Sequence, residues 1–252
     1  MKLFKIIIIS LGAVTVSYLY ISCAKTNPEK ISAVETDFTN KTVVQVVVTT
    51  VNATRNYVYI DGAPVTGAPL VSGSIFPSTS YGFNINGGLR AFLVKDTLPA
   101  ATQLPLSFAE NMAVGTHQTI FMYDTITTPK QKTVLDNIVI PADTTSRLRF
   151  ANFIYNPFAI PAVDVYSFNR GTNIFTNVPV TGVTDFIAYP SRLPVDTLYI
   201  RETGTMNLLL KASIGSVTPN AAFLTLTPKH NYTFVYRGSY RGTKTATLYA
   251  TY

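Results

Sequence analysis

The chain of 252 residues has one cysteine, two histidines and no tryptophan. A single cysteine allows no disulfide within the chain, so stability has to come from packed apolar faces and hydrogen-bonded ladders. With so little His and Cys there is no clustered spacing for a zinc-type site, and no metal or other cofactor is expected. Charge is scarce as well, at 13% Asp, Glu, Lys and Arg, and the 20 basic residues against 13 acidic ones are scattered singly, as at Arg55, Arg90, Arg170 and Arg201. A nucleic-acid surface gathers its basic residues on one element, so no nucleic-acid partner is expected. His-Glu-x-x-His, Gly-x-Ser-x-Gly and phosphate-loop patterns are all missing. Long apolar runs are confined to the first twenty-three residues, and no later stretch sustains the period of an amphipathic helix.

Within those first residues, Lys2 and Lys5 precede an uncharged run from Ile6 to Ile21, and Ser22 stands before Cys23. This is the build of a secretory signal, and it is too short and too polar at Ser10, Thr15 and Ser17 for a permanent span. The ending Tyr20-Ile21-Ser22-Cys23 resembles the lipobox of bacterial lipoproteins, with Tyr20 where that motif prefers leucine. The resemblance implies cleavage after residue 22, lipidation of Cys23 and attachment to a membrane through the acyl chains. Ala24 follows Cys23 where an acidic residue would retain the protein at the inner membrane, so the outer membrane is expected. The same resemblance implies its periplasmic face over the cell surface, since surface-exported lipoproteins tend to carry acids soon after the cysteine and none precedes Glu29 here.

Residues 23–40 are polar and aperiodic and read as a lipidated tether. From Lys41 onward, short runs rich in Val, Ile, Thr, Tyr and Phe alternate with Gly, Pro and Asn turns. Strands are predicted at Val43–Val51, Tyr57–Ile60, Tyr81–Ile85, Leu89–Lys95, Thr116–Tyr123 and Thr133–Ile140. A second series follows at Arg147–Phe153, Val163–Ser167, Asn173–Val178, Asp185–Tyr189, Thr197–Glu202, Met206–Ala212, Ala221–Thr227, Tyr232–Arg237 and Thr243–Tyr252. Tyr57-Val-Tyr-Ile-Asp-Gly62 can be laid on Asp164-Val-Tyr-Ser167, and Thr119-Ile-Phe-Met-Tyr123 on Thr233-Phe-Val-Tyr236. The chain therefore reads as all-β, with two tandem immunoglobulin-like antiparallel sandwiches over 41–142 and 143–252, divided near Pro141.

Arg147-Leu-Arg-Phe-Ala-Asn152, Pro161-Ala-Val-Asp-Val-Tyr166 and the segment from Leu226 to Phe234 resemble the bacterial cell-surface domain known as domain-of-unknown-function family 4397. The likeness covers most of 145–252 and implies an envelope β-sandwich frequent in lipoproteins, with no known reaction. In the first half Tyr57 stands in the place of Asp164, so a role for that acid would not be shared by both halves.

Candidate site residues follow from these patterns. Asp164 opens a β run after Pro161-Ala-Val, where an Asp either meets a ligand or bonds nearby backbone amides. Asn152-Phe-Ile-Tyr-Asn-Pro-Phe158 places Tyr155 and Phe158 in a proline-containing stretch too aromatic to bury whole, a candidate binding loop for a glycan or an envelope protein. Asp96-Thr97-Leu98, Asp124-Thr125-Ile126, Asp143-Thr144-Thr145 and Asp196-Thr197-Leu198 resemble the O-glycosylation sequon of Bacteroidota envelope proteins, where composition alone predicts about one match. Thr97, Thr125, Thr144 and Thr197 are the acceptor candidates, against the reading that Asp-Thr is ordinary turn chemistry. The expected function is that of a noncatalytic binding, adhesion or spacer protein, and the alternative is an envelope enzyme such as a carbohydrate-active hydrolase.

Overall fold

The computed structural model describes residues 37–98, 100–191, 195–214 and 226–252. The expected signal peptide, the lipidation candidate Cys23 and the expected tether up to residue 36 lie outside them. Phe38–Tyr252 form one compact unit.

All regular structure among the described residues is β. The first half holds β1 (Lys41–Val48), β2 (Tyr57–Ile60), β3 (Ala63–Pro64), β4 (Ile75–Phe76), β5 (Phe83–Asn86), β6 (Gly88–Lys95), β7 (Leu106–Met112), β8 (His117–Tyr123) and β9 (Lys130–Leu135). The second holds β10 (Thr145–Tyr155), β11 (Val163–Ser167), β12 (Thr172–Val178), β13 (Ile187–Pro190), β14 (Asp196–Glu202), β15 (Leu208–Ile214), β16 (Asn231–Ser239) and β17 (Lys244–Ala250). Two sheets come from each half. The first half gives β4-β1-β8-β9, with β5 also on β1, and β3-β2-β6-β7; the second gives β13-β10-β16-β17 and β12-β11-β14-β15.

The two halves share one strand order, and in both the first strand pairs in parallel with the last strand but one. β1 meets β8 from Val43↔His117 to Val48↔Met122, and β10 meets β16 from Arg147↔Asn231 to Tyr155↔Ser239. This corrects the expectation of purely antiparallel sheets. Parallel neighbours need a long crossover, and here the intervening strands supply it by building the opposite sheet before the chain returns.

Alternation along the strands shows how the sheets stack. Val44, Val46 and Val48 of β1 pack with Val58, Phe92 and Ile120 between the two sheets of the first half. Phe150, Val165, Ile200 and Phe234 fill the corresponding space in the second. The opposite faces of β1, β8, β10, β16 and β17 meet through Val47, Phe121, Ala151, Phe153, Val235 and Tyr249, with the Phe121 and Phe153 rings 4.4 Å apart. The order is therefore four sheets deep, with the two parallel-containing sheets in the middle. That position explains the continuous burial from Val44 to Val48 and from Leu148 to Ile154, while the outer strand β14 alternates buried and half-buried residues.

Several strand limits differ from the predicted ones. β7 was not foreseen, although Leu106, Phe108 and Met112 alternate towards the core. The run predicted over Thr133–Ile140 forms a strand only to Leu135, after which Asp136 turns inward and Val139 and Ile140 are exposed. Of the predicted Ala221–Thr227 strand, 221–225 fall outside the described residues and Leu226 and Thr227 are not in a strand.

Candidate functional site

The beginnings of β1 and β8 and the end of β9 frame an open cleft of about 870 Å³. Phe38, Tyr81, Leu135, Ile138 and Tyr252 give it apolar walls, and Val43 and His117 also line it. Phe38 is 58% exposed and Leu135 54%, so these side chains are presented to solvent instead of being withdrawn into either core. The Tyr81 ring stacks on Tyr252 at 5.6 Å and leans on His230 at 5.8 Å, which ties the β4–β5 connection to the second half. Gly82 permits this approach, because a Cβ there would sit 2.4 Å from Val43 Cγ1 and 3.0 Å from the Val44 carbonyl oxygen.

Behind the cleft lies a buried charged cluster. His117 Nδ1 is 2.6 Å from Asp136 Oδ2, which also accepts the Thr119 hydroxyl at 2.6 Å. Asp136 Oδ1 pairs with Arg149 Nη1 at 2.6 Å. Arg149 in turn donates through Nε to Thr233 Oγ1 at 2.8 Å and through Nη2 to Thr119 Oγ1 at 3.3 Å, and its guanidinium carbon stands 4.7 Å from the centre of the Phe186 ring. Thr233 and Thr251 share a further hydrogen bond of 2.6 Å. Arg149 is 2% exposed and Asp136 5%. The cluster joins strands of the two halves through the middle of the stack. Beside it Tyr249 is buried, and desolvation pushes its phenol up to about 12.

A histidine beside a buried carboxylate at the edge of a cleft invites a catalytic reading. The hydrogen bonds argue against it. His117 Nε2 is 2.7 Å from the Tyr81 carbonyl oxygen, which can only accept, and Nδ1 faces a carboxylate. Each ring nitrogen thus already has a protein partner within hydrogen-bond distance, leaving neither one open to a nucleophile in the cleft. Ser80 also lines the cleft, but its hydroxyl is given to the Gly82 carbonyl at 3.2 Å. His230 is likewise engaged, through Nδ1 and the Pro228 carbonyl oxygen at 2.8 Å. Among the described residues no group of three or more His, Cys, Asp or Glu is placed to hold a metal ion.

The residues singled out from sequence lie elsewhere. Asp164 is 7% exposed and accepts the amide hydrogens of Asn177 at 2.7 Å and Gly204 at 3.1 Å and the Thr203 hydroxyl at 3.0 Å. Burial raises its pKa, those three donors lower it, and the net position is below the usual carboxylate range. It locks the bulged β11–β12 pair to the turn between β14 and β15. Asn152 to Tyr155 continue β10 instead of forming a loop, with Phe153 and Ile154 buried and Tyr155 half-buried. Of the aromatic residues of that stretch only Phe158 stands out, 67% exposed, with the Arg241 guanidinium carbon 5.7 Å from its ring centre.

Among the threonines, Thr97 and Thr144 are exposed. In these two segments the preceding aspartates accept backbone amide hydrogens two residues on, Asp96 from Leu98 and Asp143 from Thr145, both at 2.9 Å, which is turn chemistry. Thr125 is half-buried and shares hydrogen bonds with Thr127 and Thr128. Thr197 is half-buried within β14, next to an Asp196 that is buried against Ser167 and Tyr189.

Neither the cleft nor the charged cluster was signalled by the sequence. Asp136 precedes Asn137 and reads as a turn residue, and Arg149 alternates with Arg147 as a solvent-facing position would. Compared with known protein families and with curated proteins, the chain matches none.

Proposed function

We propose that this chain is a noncatalytic lipoprotein of the bacterial outer membrane, held by an acylated Cys23, whose two repeated immunoglobulin-like sandwiches present a recognition surface to another envelope component. The observation that carries the reading is the open apolar cleft with Phe38, Tyr81, Leu135 and Tyr252 at its walls. A contiguous exposed apolar surface on a folded protein is characteristic of an interaction site, and a passive spacer has no use for one. The common strand order of the two halves supports the tandem repeat, and the commitment of both His117 nitrogens supports a noncatalytic role.

The test is site-specific photo-cross-linking in cells from positions 38 and 135. A discrete adduct that disappears with Leu135→Glu is expected. Failure to cross-link from either position would favour the spacer, and a hydrolytic activity abolished by His117→Gln would favour an enzyme. Metabolic palmitate labelling lost in Cys23→Ser tests the anchor. Native protein without label would remove the lipoprotein reading while leaving the cleft untouched.

A further inference from the structure

The outer face of β12-β11-β14-β15 is built differently from the cleft. Val163, Val165, Leu198 and Ile200 point into the core, so Tyr166, Tyr199 and Arg201 alternate outward. Register sets Asn173 opposite Tyr166, Tyr166 opposite Tyr199, and Tyr199 opposite Lys211. One row of Asn, Tyr, Tyr and Lys therefore crosses all four strands, a span of roughly 14 Å at the usual strand spacing. Phe168, 63% exposed, extends it, with its ring centre 6.5 Å from that of Tyr199.

Arg201 is held against this row. Its guanidinium carbon is 4.6 Å from the Tyr166 ring centre and 5.3 Å from that of Tyr199, and Lys211 Nζ is 5.9 Å from Tyr199. Asp164 faces Arg201 across the β11–β14 ladder, yet its oxygens are occupied by Asn177, Gly204 and Thr203. The other two acids of these strands alternate to the opposite side, Asp196 bonded to Ser167 and Tyr189, and Glu202 to Tyr240. The hydrogen-bond contact of Arg201 within the described residues is Met206 Sδ at 3.6 Å, a weak acceptor.

A planar guanidinium clamped by two rings has lost little more freedom to lose, and its fork matches a carboxylate with two parallel hydrogen bonds. Tyrosine faces accept the apolar side of sugar rings. We infer that this face binds an acidic polysaccharide, with a uronate carboxylate on Arg201, a neighbouring negative charge near Lys211 and sugar rings along Tyr166 and Tyr199. Two cations are too few for a nucleic-acid duplex, where affinity is built from many neutralised phosphates. The corresponding face of the first half supplies an internal control. Tyr57 and Tyr59 also lie beside cations there, but Arg55 is already paired with Asp96 at 3.3 Å.

The experiment measures binding of the full chain to polygalacturonate and to neutral dextran at low and raised ionic strength. Polygalacturonate should bind, more weakly as salt rises, and dextran should not. Arg201→Gln should lower the affinity about tenfold or more, and Arg201→Lys should restore little of it because the fork is gone. Lys211→Gln, at an exposed position, should weaken binding without altering thermal unfolding, while Arg55→Gln should have no effect. Equal binding of dextran, or wild-type affinity in both Arg201→Gln and Lys211→Gln, would overturn the inference. So would equal competition by duplex DNA or by phosphatidylglycerol vesicles, which would make the face a general polyanion surface.

Discussion

Replacing Arg149 by methionine keeps much of the side-chain volume and removes the charge that links the two halves. Asp136 is then left buried, but it retains His117 at 2.6 Å and the Thr119 hydroxyl at 2.6 Å. Removing one partner of a buried ion pair costs about 3–5 kcal/mol, and the surviving donors place Arg149→Met near the lower end, at about 3 kcal/mol. Asp136→Asn is the harsher change. It removes the negative charge that faces both the buried guanidinium and His117, so about 4–5 kcal/mol is expected. Urea unfolding, followed by far-ultraviolet circular dichroism and by tyrosine emission in a chain without tryptophan, gives these values from the shift of midpoint at constant slope. Because the cluster and the apolar contact around Phe121 and Phe153 bind the middle sheets together, both probes should report one transition. The double variant should fall short of the sum of the single losses. Additivity within about 0.5 kcal/mol, a reversed order of the two variants, or separate transitions for the two halves would refute the coupling.

Two further outcomes follow from titratable groups. Desolvation raises the Tyr249 phenol to about 12, and Tyr189 and Tyr236 are raised for the same principal reason. The neutral phenols are favoured in the folded state, so this stabilisation is complete below the unfolded value near 10 and is lost as pH climbs through the folded value. Tyrosine absorbance titration should leave this group un-ionised at pH 11, with unfolding midpoints falling above pH 10. A protein equally stable at pH 9 and pH 11.5 would contradict the burial of these hydroxyls. Asp164→Ala strands the Asn177 and Gly204 amides and should cost about 2–3 kcal/mol. With the pKa of Asp164 lowered, the part of its contribution that depends on charge is present above the ordinary carboxylate value and is lost as pH falls through the folded one, so the gap in stability between wild type and variant should narrow in acid.

The sequence carried the strands well where one face is buried and turns are sharp. The predicted limits of Tyr57–Ile60 and Val163–Ser167 coincide with β2 and β11, since Asp61-Gly62 and the residues after Ser167 end them abruptly. Pairing was not legible, because alternation says which way a side chain points and nothing about which strand lies beside it. The parallel partners of β1 and β10 therefore came only with the structure. The valines at 43, 44 and 46 to 48, interrupted only by Gln45, did contain the mark of a strand covered on both faces. Asp164 was found as a distinctive acid, and its surroundings show it holding backbone. The outward row on β11 and β14 could be read as alternate residues, but the register that aligns Tyr166, Tyr199 and Lys211 could not.

The parallel pairing of first and penultimate strands also sets when each sheet can be completed. β1 waits for β8 and β10 for β16, so in both halves the earliest strand finds its central partner only after nearly all of that half has been made. Contacts so distant in sequence slow folding, because loop closure comes before the reward of pairing. Until then β1 presents a bare, valine-rich edge and two apolar faces. Such a chain keeps these surfaces bare for longer than a meander of hairpins would, and the first half cannot cover its outward middle face until the second half has also folded.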